Sequence, residues 1–194
     1  MSLETPNTSI LTPRYFLESL REMNPTLLWA TFFINPAIAL LDSYRLKPFP
    51  CSVACENIVS TFLQQADCEI SVEFDWLVET FPECQRIFQT LQREAIVEYA
   101  AVATAFLIVT NLAQRSIFEV TMRGGKAEYF LNGRQNLLEI IGTENSAHFA
   151  SRHNEKIRQL KTNPFAKDGY VFVCCFSNQR AKFSFHSFNQ TQVE

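Results

Sequence analysis

Every glycine in this chain lies beyond residue 123. Gly124, Gly125, Gly133, Gly142 and Gly169 can serve the tight turns and strand ends that want a residue without a Cβ, so the first half must turn by other means. Proline supplies them. Thr12-Pro13, Asn24-Pro25 and Asn35-Pro36 each set a capping side chain before a residue whose missing N–H costs nothing at the first helical position. The pattern predicts helices near 13–23, 25–34, 36–46 and 52–65. Residues 69–74 alternate like a strand, yet 71–80 also fits a helix, and the helical reading is taken here. Pro82 is placed to open a long helix that runs to about Gln114.

Past that helix the period changes. Ser116–Met122 reads as a strand, Arg123-Gly124-Gly125 as a turn and Lys126–Leu131 as a second strand. Asn132-Gly133 is a strong hairpin signal, because both central residues of the favoured turn need positive φ. Leu137–Gly142 is a third strand, and Asn145–Thr162 is a polar helix with a sparse stripe of Phe149, Ile157 and Leu160. Tyr170–Phe176 is a near-continuous apolar run, as a central strand requires. Ala181–Phe188 reads as an edge strand. The expected fold class is α/β, with a helical N-terminal portion over residues 1–82 and a mixed sheet flanked by helices over 83–194.

Charge divides along the same line. Residues 1–114 carry a net charge of −7 and residues 115–194 a net +4. Any nucleic acid is therefore expected against the second half, and the acidic half is left for a protein partner or a second copy. Eighteen phenylalanines in so small a chain favour some buried interface. With 47% apolar and 19% charged residues, the composition excludes a disordered tail or a highly basic coat protein. Ala95–Ala113 has the length of a membrane span, but Glu98 sits inside it and Asn111 and Gln114 end it, so a buried core helix is expected. Met1–Ser9 has no basic n-region, and no signal peptide or membrane association is expected. The six cysteines show no CxxC spacing, and His148, His153 and His186 complete no zinc pattern. Free buried thiols in a reducing cytoplasm are the expectation.

There is no GxGxxG, Walker loop, HExxH or GxSxG motif. What stands out is an isolated carboxylate in an apolar run, Leu137-Leu138-Glu139-Ile140-Ile141. Burying an unpaired carboxylate is costly, so Glu139 needs a partner. Either it pairs with an arginine such as Arg134 or Arg158 and merely holds the sheet, or it converges with Glu128 from the preceding strand to hold a cation. On the structural reading, Glu128 is only an edge-strand solubiliser, and the basic residues of the following helix are a solvated face.

Read in order, residues 85–176 give helix, strand, strand, strand, helix, strand. With Glu128 in Lys-Ala-Glu-Tyr-Phe and Glu139 in Leu-Leu-Glu-Ile-Ile-Gly, this resembles the core of the PD-(D/E)XK nuclease superfamily. The resemblance implies a restriction-endonuclease-like core in which Glu128 and Glu139 bind Mg²⁺, assisted by Glu98 or Glu94 from the first helix. It implies a Mg²⁺-dependent DNA or RNA phosphodiesterase, or a catalytically degenerate relative. The chain departs from the family at Ile141, where the motif lysine is expected. Lys126, two residues before Glu128, or Lys156 from the next helix would replace it, and Gln159 would line the site. Arg123, Arg152, Lys156, Arg158 and Lys161 are the candidate nucleic-acid contacts. On this reading Ile141→Lys would raise activity. The alternative is a non-catalytic interaction subunit of a larger complex, docking through the acidic half.

Overall fold

The fold is that of a computed structural model, which describes residues 12–23, 31–63, 65–77, 84, 86–123, 126–132, 134, 136–163 and 168–188. In chain order the elements are β1 (Arg14–Phe16), a 3-10 turn (Leu17–Ser19), α1 (Leu20–Met23), α2 (Thr31–Ser43), β2 (Phe49–Glu56), β3 (Cys68–Asp75) and α3 (Ile87–Thr90). They continue with α4 (Arg93–Leu112), β4 (Ile117–Arg123), β5 (Lys126–Leu131), β6 (Asn136–Thr143), α5 (Phe149–Thr162), β7 (Asp168–Cys175) and β8 (Arg180–Ser187). The chain is an α/β protein with one mixed sheet of eight strands, in the order β1-β3-β2-β8-β7-β6-β5-β4.

From β4 onward the strands follow the sequence reading within two residues, but the long helix expected from Pro82 opens only at Arg93, after extended Leu91 and Gln92, and the helix expected from Asn145 opens at Phe149 after a 3-10 turn over Ser146–His148. The first half departs further. The expected helix at 52–65 is replaced by β2, in which Phe49, Cys51, Val53 and Cys55 are buried and the residues between them half-exposed. Cys51 and Cys55 share a helix face at spacing four, but they share a strand face equally well, and the period-two burial wins. The helix taken at 71–80 is likewise corrected to β3, with Val72 and Phe74 buried against β2. Residues 13–23 form only β1, one 3-10 turn and the single turn α1. Helix α2 runs through Pro36, so Asn35 is no N-cap, and its buried Oδ1 has no hydrogen-bond partner. Asn24-Pro25, Pro82, Gly124, Gly125 and Gly133 lie outside the described residues. The N-terminal portion is thus not helical alone: β1, β2 and β3 lie in the same sheet as the strands beyond residue 83.

Strand β8 is also corrected. Its sequence pattern suggests an edge, but it lies between β7, antiparallel, and β2, parallel. That position explains why Ala181, Phe183 and Ser184 are all buried.

The sheet separates two apolar layers. On one face, Leu138, Ile140, Phe172 and Phe183 join the large core with α2 and α4. Phe106 of α4 meets Phe33 edge-on at 6.0 Å and Tyr129 at 5.3 Å. On the other face, Leu137, Val171 and Val173 pack under Leu160 of α5, with Ile141, Phe149 and Ile157 at the margin. Helix α4 is the one helix among the described residues long and apolar enough to cross a membrane, and 72% of that window is buried inside the protein, as a core helix should be.

Gly142 lets α4 approach β6. A Cβ there would stand 2.6 Å from the Val97 carbonyl oxygen and 3.0 Å from Ala101 Cβ, both on α4. Gly142→Ala is expected to force the helix off the strand and cost roughly 1–3 kcal/mol of stability, read from urea melts. An unchanged midpoint would mean that the contact yields freely.

Candidate functional site

Strands β5 and β6 are paired only over Tyr129–Leu131, with Tyr129 opposite Leu138 and Leu131 opposite Asn136. Beyond that step β5 stays with β4, out to Arg123 opposite Lys126, and β6 stays with β7, out to Thr143 opposite Cys175. At this fork lies a cavity of about 780 Å³. One wall is α4, through Arg93, Glu94, Val97 and Glu98; the other is α5, through Arg152, Glu155, Lys156 and Gln159. The β6 residues Ile140, Ile141, Gly142 and Thr143 run between them, and Tyr129 closes the β5 side.

Alternation along β6 turns Leu138, Ile140 and Gly142 toward α4 and leaves Glu139 on the α5 face. There the Lys156 ammonium donates to Glu139 Oε2 at 2.9 Å and to Gln159 Oε1 at 2.9 Å. Both partners of the pair are largely buried, with side chains 13% and 12% exposed. Gln159 donates on to Glu155 at 3.3 Å, and Glu155 also accepts from Arg152 at 3.2 Å. Helical spacing strings Arg152, Glu155, Lys156 and Gln159 along one flank of α5 as a polar cavity wall, and Lys156 reaches from it to the Glu139 carboxylate behind.

Neither arginine named for Glu139 is its partner. Arg134 holds Glu119 in a two-pronged pair at 2.5 and 2.6 Å, and Arg158 is exposed. Glu98 is exposed on α4 and faces the cavity. Burial pushes the Tyr129 phenol above its ordinary range, and Glu98, Tyr99 and Glu139 push it further.

The side chains of Arg123, Lys126 and Glu128 lie outside what the structure describes. The backbone places β5 between β4 and β6, but its pairing with β6 spans only Tyr129–Leu131, so at residue 128 β5 is paired with β4 alone, opposite Thr121. Ile141 is half-buried, packs toward α5 and lines the cavity, on the same face as Glu139. The basic residues of α5 do not form one face: Arg152 and Lys156 line the cavity, whereas Arg158 and Lys161 are exposed and lie away from it. Among the described residues no group of three or more His, Cys, Asp or Glu stands close enough to hold a metal ion.

Two clusters escape sequence reasoning. At the cavity mouth Glu144, just past β6, accepts from Arg93 Nε at 2.8 Å, from Arg93 Nη2 at 2.6 Å and from the Tyr44 hydroxyl. Arg93 holds the Glu144 carboxyl below the usual range, against the opposing effect of burial. Burial, then Glu144, pushes Tyr44 up. On the inner side of α5, the buried Ser184 hydroxyl lies 2.8 Å from His153 Nε2 and 2.9 Å from His186 Nε2. It carries one proton, so it donates to one ring and accepts from the other. Partners so far apart in the chain leave no local signal.

Comparisons with family models, with curated proteins and with solved structures give no match to this chain.

Proposed function

We propose that the chain is a nuclease-related, nucleic-acid-handling protein built on a restriction-endonuclease-like core of the PD-(D/E)XK kind. The observation that carries this reading is the Glu139–Lys156 pair, with Nζ 2.9 Å from Oε2, whose lysine lines the fork cavity. The resemblance asks for a third-strand acid with a lysine beside it. Here β6 supplies the acid, and α5 supplies the lysine that is missing at Ile141. The order α4-β4-β5-β6-α5-β7, antiparallel through β6 and then parallel, supports the same reading.

The donor chemistry suits Mg²⁺, which takes one or two carboxylates and keeps several waters. On this reading Glu128 and Glu139 would hold it, and Glu98, which comes from α4 on the other side of β6, would assist from across the cavity. Bound there, Mg²⁺ lowers the pKa of a water and neutralises phosphate charge. Lys156 balances Glu139 until substrate arrives, then offers its N–H groups to a phosphate oxygen or to the attacking water. Arg152, at the rim, is placed to contact the flanking phosphate.

The test is an assay of the purified protein on labelled single- and double-stranded DNA and RNA, with and without Mg²⁺. Binding is expected to weaken steeply with salt. Cleavage is expected only with Mg²⁺, and Glu139→Gln should lower it about 10²-fold or more. Cleavage that survives Glu139→Gln would place the chemistry elsewhere. A second reading, a non-catalytic interaction subunit, draws on one observation. The exposed large apolar residues, Phe16, Phe32, Val59, Phe62, Leu77 and Phe88, all fall in the acidic half. A protein that neither binds nor cuts nucleic acid, yet self-associates in light scattering, would favour it.

A further inference from the structure

The hairpin of β2 and β3 sets Cys55 directly across from Cys68. The Ser52 N–H reaches Gln179 O on the β8 side at 2.8 Å, and the Glu73 N–H reaches Pro13 O on the β1 side at 2.9 Å. Backbone groups alternate along a strand, so those of Cys55 and Cys68 turn toward each other. Such a hydrogen-bonded pair has Cα atoms about 5.5 Å apart, inside the span of roughly 4.4–6.8 Å that a disulfide bridges. The two side chains leave the sheet on the same face, directly across from each other.

Access to the thiols differs. Cys68 opens β3 and is partly exposed, whereas Cys55 behind it is 5% exposed. Cys51, Cys84 and Cys175 are 1% exposed and Cys174 is 0%. Cys51 and Cys174 are both sealed in the core. Of the described thiols only the Cys55–Cys68 pair joins bonding geometry to an open side.

We propose that Cys55 and Cys68 are a redox pair that closes a reversible disulfide across β2 and β3 when the protein meets a peroxide. Cys68 is the thiol a peroxide can reach and Cys55 lies buried behind it, so Cys68 is the first nucleophile. The Cys68 thiolate attacks one peroxide oxygen, the O–O bond breaks, and hydroxide leaves a sulfenic acid on Cys68. Cys55 sulfur then attacks the Cys68 sulfur. The S–O bond breaks, and the oxygen departs as water with the Cys55 proton. Two thiols are oxidised by two electrons, and one hydrogen peroxide is reduced to two waters. The bridge pins the connection from Asn57 to Asp67, which carries the exposed Val59 and Phe62 and whose Thr61 hydroxyl accepts from Gln114, just past the end of α4, at 2.9 Å.

The experiment treats the full chain with hydrogen peroxide, alkylates the remaining thiols after denaturation and maps the peptides by mass. The expected result is one linked peptide pair, Cys55 with Cys68, and four alkylated cysteines. Tm should rise by roughly 5–10 °C and fall back with dithiothreitol. Cys68→Ser should abolish both the link and the rise. Cys55→Ser should leave a sulfenic acid on Cys68 that a 1,3-dione traps. If wild-type Cys68 is trapped by the dione while Cys55 stays alkylatable, or if Cys51 and Cys174 link instead, the proposal fails.

Discussion

Lys156→Met is expected to lower the unfolding free energy by about 3 kcal/mol and, on the nuclease reading proposed above, to lower phosphodiester cleavage about 10²-fold or more. Both effects follow from one geometry. Lys156 and Glu139 are largely buried, and the ammonium is the partner the structure gives the carboxylate. Removing it leaves a charge out of water with nothing to balance it. Replacing both residues with methionine should recover most of the stability, because an apolar pair of similar volume carries no desolvation cost, and it should recover none of the activity. Ile141 lies two residues beyond Glu139 on the same face and lines the same cavity. In the Lys156→Met background, Ile141→Lys should therefore restore part of both quantities. In the wild type it should add nothing, since the lysine place is taken and a second ammonium would meet the first. This revises the gain the sequence alone suggests for that substitution. Urea melts and single-turnover cleavage measure the four variants. A Lys156→Met protein within about 0.5 kcal/mol of wild type, the ordinary range for a surface change, would show the pair to be unimportant.

That Lys156 could stand beside Glu139 is legible in the sequence, because a helix following a strand in a parallel crossover packs back over it. The second half reads well because its elements are long and switch period clearly. The first half fails where two periods coincide. Phe49, Cys51, Val53 and Cys55 fit a strand, but the cysteines at spacing four also mark a helix turn, and nothing local decides. The place of strand β8 has no local signal either, since its second neighbour, β2, lies more than 120 positions earlier. Glu144 carries no mark in the sequence because its partners Arg93 and Tyr44 are 51 and 100 residues away, and local pattern says nothing about them.

Acid should destabilise this protein through His153 well above the range where carboxylates titrate. The ring is 4% exposed, with Nε2 on the Ser184 hydroxyl. Burial, then Lys182 and His186, push it down to about 4, and Glu56 opposes them weakly. Lys182 is itself bound to Glu56 at 2.6 Å, so the groups facing the ring are one cation, one carboxylate and a second histidine shifted in the same direction. The unfolded chain takes up the proton near pH 6.5. Because the folded form resists protonation, the contribution of His153 is fully present above about pH 6.5 and is lost as pH falls through about 4. A shift of this size corresponds to about 3 kcal/mol. His153→Gln keeps a polar group near the Ser184 hydroxyl and cannot titrate. Its urea-melt stability should fall by about 3 kcal/mol less than wild type between roughly pH 7 and pH 4. Parallel curves for the two proteins would mean that the ring titrates as freely in the fold as in the unfolded chain, and that the acid sensitivity belongs to other groups.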